Sequence, residues 1–371
     1  MSAGSGPRSG PGAPLRAGLA GCGRIARLFH LPALVADPAF ELVAVADPDP
    51  DALAAATAAA PGAVALDDVD ALVARPGLDA VVVCAPTGLH EALAVAALDA
   101  GRHLYLEKPL AITAAGGDRV LAAEARAGTV AMIGLNLRFH PVFVEAQAQL
   151  AAGAVGEVVG VQTRFCAAGR NLPPWKQRRA SGGGALLDLA SHHVDLVPHL
   201  LGDRVVEVDA TVRSVATEAD TAALSLRSAG GVTVQSLFSM TAAQEDVVVV
   251  QGTRGVLVAD RYRSEVRVEP SVPAGGRRAQ VGAAARASSA LARGAWRTLR
   301  PRPDPSFAAG LAAFAAAVQG TAPAEPSLAA GRRSLAVVLA AEEADATGRP
   351  VAVDPASGSA VPQGDGVGQR S

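Results

Sequence analysis

One hexapeptide limits the folds open to this chain more than any other feature. Gly21-Cys22-Gly23-Arg24-Ile25-Ala26 lies between a short apolar run, Arg16–Ala20, and a segment of helical character. Gly21 permits a tight turn from strand to helix, Gly23 leaves no Cβ in the path of a ligand, and Ala26 is small enough for helix and sheet to pack closely. The helix N-terminus adds free N–H groups and a positive dipole end, which together favour an anion such as a pyrophosphate. In a chain with 39 glycines this motif alone would mark only a turn. The next predicted strand, Glu41–Ala46, supplies the second element by ending in Asp47, 21 residues beyond Ala26. A carboxylate there can accept from the hydroxyls of an adenosine ribose. Strand, glycine turn, helix, strand and acid in this order predict a dinucleotide site. Pro48-Asp49-Pro50-Asp51 adds carboxylates with no arginine beside them, so a 2′-phosphate would be repelled and NAD is expected over NADP.

From Leu15 to Asn136 short apolar runs alternate with Ala/Leu-rich helical stretches. Arg16–Ala20, Glu41–Ala46, Asp79–Ala85, His103–Glu107 and Thr129–Leu135 read as strands, several nearly continuous in Val, Leu and Ala as strands buried on both faces should be. Asp51–Ala60, Leu89–Ala100 and Thr113–Ala127 read as helices, with Thr113 as an N-cap and Gly101 just past a C-terminus. Alternation of this kind predicts a parallel α/β Rossmann domain over residues 15–136. Beyond Gly156 the strands follow one another: Val158–Phe165, Val205–Val215, Thr221–Arg227, Val232–Phe238 and Asp246–Gln251, with Gly230-Gly231 as a hairpin turn. Residues 137–354 are therefore expected to form an α+β domain on a large, mostly antiparallel open sheet. Helices Ala185–Leu201, Ser306–Gln319 and Leu328–Ala346 and an edge strand Arg349–Val353 complete it. The Gly/Ser/Pro-rich ends, 1–14 and 355–371, are expected to be disordered tails, and the Arg/Ala/Pro-rich 271–303 stretch to be a loop or solvated helix.

Composition removes several classes of function. Half of the 371 residues are hydrophobic and 18% are charged, which suits a globular chain with a sizeable core. A net charge of −2 and 3% aromatic residues give no basis for nucleic acid as a partner. Cys22, Cys84 and Cys166 are far apart and lack metal-ligand spacing, so neither a metal site nor a disulfide framework is expected. Met1–Arg16 has no apolar signal region, and charges interrupt every apolar stretch before it could span a membrane. A soluble, cytoplasmic protein with no membrane partner is the expectation.

The turns that follow the later Rossmann strands carry residues able to do chemistry. Asp79–Ala85 runs into Pro86-Thr87-Gly88-Leu89-His90, and His103–Glu107 into Lys108-Pro109. Ligands of open α/β sheets lie outside the carboxyl ends of the strands, so Pro86, Thr87, His90, Glu107 and Lys108 should face the cofactor along with Gly21, Gly23, Arg24, Ile25, Ala26 and Asp47. On the helix Ala185–Leu201, Asp188 and His192 are four apart and share a face. A carboxylate beside an imidazole would raise its basicity and orient it as a general acid/base. Three glycines, Gly182 to Gly184, precede this pair and imply close approach to something unnamed. His193 points away and reads as structural.

Taken together, these residues resemble the Gfo/Idh/MocA family of glucose–fructose oxidoreductase and inositol dehydrogenases. The resemblance rests on the fingerprint with its sequel His30-Leu31-Pro32-Ala33, Asp47, Pro86/Thr87/His90, Glu107-Lys108-Pro109, Asn136-x-Arg138-Phe139, Trp175 and Gly-Gly-Gly…Asp188-x-x-x-His192. It extends from about Leu15 to Val353. It implies that Lys108 and His192 bracket a reacting carbinol and that Asp188 supports His192 or binds a substrate hydroxyl. It further implies that Asn136, Arg138 and Trp175 contribute to the substrate site and that a cis peptide precedes Pro109. The activity implied is reversible hydride transfer between nicotinamide and a secondary alcohol of a sugar, inositol or related polyol. A 3-ketosugar-nucleotide reductase and a non-catalytic NAD-binding sensor are the competing readings. A homodimer or homotetramer is expected, built on the uncovered face of the sheet. The chain departs from the family in having Ala190 where Gly is usual, Pro198 inside the helix, where a kink is expected, and the 271–303 stretch.

Overall fold

The computed structural model describes residues 13–168, 172–271 and 304–354. The expected tails and the 271–303 stretch lie outside the described residues, apart from positions 13, 14 and 271. Six strands form the first sheet: β1 (Leu15–Ala20), β2 (Phe40–Ala46), β3 (Val64–Leu66), β4 (Ala80–Val83), β5 (His103–Glu107) and β6 (Ala131–Gly134). Their order is β3-β2-β1-β4-β5-β6 and every pairing is parallel. β4, β5 and β6 are buried throughout, β4 and β6 as unbroken apolar runs and β5 with His103 and Glu107 at its ends. β3 was not foreseen: its three residues form an exposed edge too short to show a period.

Helices α1 (Leu31–Ala36), α2 (Pro50–Ala59), α3 (Val69–Val73), α4 (His90–Asp99) and α5 (Ala114–Ala127) connect these strands. Side chains cap them where the sequence offers acceptors. Asp49 takes the N–H groups of Asp51 and Ala52 at the start of α2, and Thr113 takes that of Gly116 at the start of α5. Gly101, just beyond α4, adopts φ +68°, as a left-handed helix terminator does.

Helix α6 (Pro141–Ala151) leads to the second sheet: β7 (Val158–Cys166), β8 (Val205–Arg213), β9 (Thr221–Ser228), β10 (Thr233–Ser239), β11 (Glu245–Gly252), β12 (Gly255–Asp260), β13 (Glu265–Pro270) and β14 (Val351–Ala352). The order is β13-β12-β11-β7-β10-β9-β8-β14, antiparallel except where β7 meets β10. The Gly230-Gly231 hairpin is present, with Gly231 at φ +85°. β12 and β13 were not foreseen, while the short edge strand near the C-terminus was. On one face of this sheet Val161, Phe165, Leu224, Leu226 and Val248 pack against Leu187, Val194 and Leu196 from the helical stretch after Gly184. The opposite face carries exposed Val159 and Leu237 and a depression of about 300 Å³ beside Arg164, Val249, Val258 and Tyr262.

The last two helices return to the first sheet. Leu311 and Phe314 of Ser306–Val318 share one buried cluster with Leu19, Val45, Val82 and Tyr105. On the sheet's other face, Leu328 and Ala330 of Leu328–Thr347 join Val81, Leu104 and Ile133. Further along that helix, Leu335, Val338 and Ala341 belong to the core of the second sheet.

Candidate active site

β1 and β4 are neighbours from which the chain departs toward opposite edges of the sheet, so a crevice opens at their carboxyl ends. Gly21 holds φ +90° there, and a Cβ on it would lie 2.7 Å from the backbone of Cys84 and Ala85. Only glycine fits. At Gly23 a Cβ would meet nothing within 4 Å, so the turn faces open space where the motif needs room for a ligand. The chain is helical from Arg24, which is exposed, through half-buried Ile25 and fully buried Ala26, and passes a wide π-helical turn, Ala26–His30, before α1. Asp47 serves both its own turn and the glycine turn. Oδ2 accepts from the Cys22 N–H at 2.6 Å and Oδ1 from the Asp49 N–H at 2.9 Å. Burial, reinforced by Asp47, pushes the Cys22 thiol up to about 12, which keeps it protonated and inert.

The turns after β4 and β5 are tied to each other. The His90 ring lies between the carbonyl of Pro109 (2.6 Å from Nδ1) and that of Ala85 (3.0 Å from Nε2). Burial lowers its proton affinity, and a neutral imidazole can donate to only one of the two. The Lys108–Pro109 peptide is cis, as the resemblance implied. Glu107 is buried and pairs through Oε1 with His30 Nε2 at 2.6 Å. Burial would raise this carboxyl, but His30, Lys108 and His90 outweigh it and hold it below the usual range. Pro86 is half-buried. Thr87 is buried against Gly182, where a Cβ would come within 2.5 Å of its own.

Lys108 reaches across to the other half of the molecule. Its Nζ donates to the main-chain carbonyl of Asp188 at 2.6 Å and lies 3.5 Å from Asp188 Oδ1. The three glycines make this approach possible. Gly182 accommodates Thr87, Gly183 would place a Cβ 2.2 Å from the Lys176 carbonyl, and Gly184, at φ +91°, passes Ala219. The stretch that follows is not the uniform helix expected. Leu186–Ala190 is a wide π-helical turn, and only then does α7 (Ser191–Leu201) begin. Pro198 falls in the last turn of α7, which Gly202 closes in the left-handed conformation.

The expected Asp188–His192 pairing is corrected by the structure. Asp188 Oδ1 accepts from Lys176 Nζ at 2.6 Å, with Lys108 beside it, while His192 Nδ1 is buried and has no hydrogen-bond partner among the described residues. The imidazole is also less basic than usual rather than more. Burial lowers its proton affinity most, Lys108 and Arg261 lower it further, and the opposing pull of Asp188 is outweighed. Lys176, between Trp175 and the glycines, was missed. A lysine following a tryptophan already singled out was the only signal available.

The remaining expected residues are held by protein partners. Asn136 Nδ2 donates to Ser306 Oγ at 2.7 Å. Arg138 grips Asp195, two turns beyond Asp188, at 2.8 and 2.5 Å, and Glu325 Oε2 lies 3.7 Å away. Trp175 is half-buried, with its ring 5.3 Å from Lys176 Nζ and its carbonyl accepting from Ser181 Oγ at 2.8 Å. His193 is structural, as expected. It is buried and pairs through Nε2 with fully buried Asp246 at 3.0 Å. From Asp246 a polar chain runs through Arg261 (2.5 Å) and Asp304 (3.0 Å) to Ser306 (2.6 Å) and so to Asn136.

The glycine turn, its open approach and Asp47 fit a dinucleotide. Residues 15–135 match the family model described as the oxidoreductase family with an NAD-binding Rossmann fold, and residues 143–258 match that of the GFO/IDH/MocA C-terminal domain. Fold and site thus define an NAD-binding Rossmann oxidoreductase. More narrowly, the chain belongs to the Gfo/Idh/MocA family. It is 34% identical over 256 residues to the dTDP-3,4-didehydro-2,6-dideoxy-alpha-D-glucose 3-reductase of Streptomyces violaceoruber, covering 67% of this chain and 74% of that one. It is 32% identical over 262 residues to the inositol 2-dehydrogenase of Rhizobium meliloti, covering 67% and 76%. The WlbA dehydrogenase of Bordetella pertussis, solved with NADH and UDP-GlcNAcA, shares the fold with a TM-score of 0.79 at 24% identity, over 93% of this chain and 99% of that one. Among the described residues no helix is long and apolar enough to cross a membrane.

Proposed function

We propose that this enzyme reversibly oxidises a secondary alcohol of a sugar, inositol or related polyol, with Lys108 and His192 managing the hydroxyl proton. The observation that carries this reading is the 2.6 Å bond from Lys108 Nζ to the Asp188 carbonyl, which brings the lysine of one half to the helix that bears the imidazole in the other. The fingerprint Gly21–Ala26 and Asp47 would hold the cofactor. NAD is favoured over NADP because exposed Asp49 and Asp51 flank Asp47. When bound, it supplies hydride exchange at its nicotinamide ring. The protein's part is position and proton control. A neutral His192 is free to take the proton that leaves the alcohol, and Lys108, held on Asp188, can donate a hydrogen bond to the same oxygen. Trp175 offers an apolar wall to the sugar ring.

Replacing His192 or Lys108 with alanine should lower kcat by ~10²–10⁴ while NADH binding, followed by fluorescence, is retained. Wild-type turnover in the His192→Ala enzyme would refute the assignment. A second reading, reduction of a 3-keto sugar nucleotide, draws on the 34% identity to a 3-reductase. NADH consumption with ketosugars, set against NAD reduction with free polyols, separates the two. The face of the second sheet that no described element covers, with Val159, Leu237 and the depression beside Tyr262, is the surface proposed for a homodimer or homotetramer.

A further inference from the structure

Asp188 is shared unequally by two lysines. Lys176 Nζ lies 2.6 Å from Oδ1, while Lys108 Nζ lies 3.5 Å from the same oxygen and 2.6 Å from the main-chain carbonyl. Lys176 is seated rather than loosely placed. Its side chain is 19% exposed and lies beside the Trp175 ring, and its carbonyl packs where a Cβ on Gly183 would stand 2.2 Å away. The neighbouring turn is fastened by Ser181 Oγ on the Trp175 carbonyl at 2.8 Å. The loop thus delivers one ammonium to one carboxylate at the point where the proposed acid/base lysine enters.

We propose that Lys176 is a positioning residue: by capturing the Asp188 carboxylate it confines Lys108 to the Asp188 main-chain carbonyl and denies it a close carboxylate partner. This rests on the reading of Lys108 as a proton-handling group. Among the described residues, the charged and titratable groups around Lys108 are Glu107 and His90 from its own half and Asp188, His192 and Lys176 from the other. Burial lowers the proton affinity of Lys108 most. Asp188 and Glu107 oppose this, and the Lys176 charge adds to it. Removing Lys176 takes away a repulsive charge and lets Asp188 Oδ1 turn to Lys108, and both changes make Lys108 hold its proton more firmly.

The test reads Lys108 directly, without a substrate. Competitive acetylation with acetic anhydride across a pH series, quantified at Lys108 by mass spectrometry, gives the midpoint at which its amine becomes reactive. Lys176→Met should move that midpoint upward by about one unit, roughly a tenfold loss of Lys108 reactivity at a fixed pH below it. Lys176→Arg, which keeps a cation for Asp188, should restore most of the wild-type value. NADH binding and thermal stability serve as folding controls for both variants. An unmoved Lys108 midpoint in folded Lys176→Met overturns the proposal, as does an equal shift in Lys176→Arg. If no polyol or ketosugar is turned over but the midpoint still moves, the catalytic reading fails and the positioning role stands.

Discussion

The two ends of the site are built by opposite means. At the nucleotide end, the glycine turn and Asp47 come from one short stretch, and Asp47 Oδ2 folds back onto the Cys22 N–H to fix it. At the end proposed to handle the proton, Lys108 and Asp188 are 80 residues apart, and Lys176, Arg261 and Asp304 converge from three further places. A locally built site depends on backbone conformation. One assembled from distant segments depends on the packing and charge balance of the whole fold.

That contrast is sharpest at Asp246, whose carboxylate is fully buried between His193 and Arg261 behind the Asp188 helix. Asp246→Ala should cost ~3–5 kcal/mol in urea unfolding, because it leaves a buried guanidinium short of a partner. The glycine turn should keep its NADH affinity in whatever fraction remains folded. A small loss of stability would mean that the charge chain is not an essential brace. At the other end, a pair of substitutions separates fold from ligand. Gly21→Ala forces a Cβ into the Cys84–Ala85 backbone at φ +90° and should destabilise the protein by ~1–3 kcal/mol. Gly23→Ala points into open space and should leave the melting temperature unchanged while weakening NADH binding roughly tenfold, or ~1.4 kcal/mol. Equal melting losses in both would erase the distinction. The smallest effect is acid sensitivity. His90, His103, His140, His192 and His199 all have lowered proton affinity, with burial the largest cause in each. In the unfolded chain they titrate near 6.5. As pH falls through that value the unfolded chain binds protons that the native one refuses, so stability held above about pH 6.5 is lost below it. The loss should begin well above the pH at which carboxylates such as Glu107 and Asp246 protonate. A flat melting temperature between pH 7 and 5 would contradict it. The same shift puts the acid limb of kcat/KM, where it belongs to His192, below 6.5.

The local end was legible because its physics is local: a positive φ needs glycine, a helix start favours an anion, and a strand end displays its next side chain. Alternating apolar runs revealed both sheets for the same reason. β3 escaped because three residues at a largely exposed edge carry no period, and β12 and β13 escaped because Gly255–Asp260 and Glu265–Pro270 were assigned no element. At the far end, four-residue spacing placed Asp188 beside His192 on an ideal helix. The wide turn at Leu186–Ala190 is set by packing that spacing does not encode. The sign of the His192 shift followed the same course, since it depends on burial and on Lys108 and Arg261, which no local window contains. Lys176 lay in plain view but acquires meaning only when Gly183 lets its loop close on the stretch that bears Asp188.

The return of the last two helices to the first sheet bears on how this molecule could be recombined. Phe314 and Leu311 seal one face of the coenzyme layer, and Leu328 and Ala330 seal part of the other. A graft carrying only residues 15–136 would therefore strand fully buried aromatics such as Tyr105 in water. Even one truncation at the seam, Phe314→Ala, should cost ~3–5 kcal/mol. Any chimera that exchanges coenzyme modules must move Ser306–Val318 and the beginning of Leu328–Thr347 with them: the unit of inheritance here is a discontinuous one.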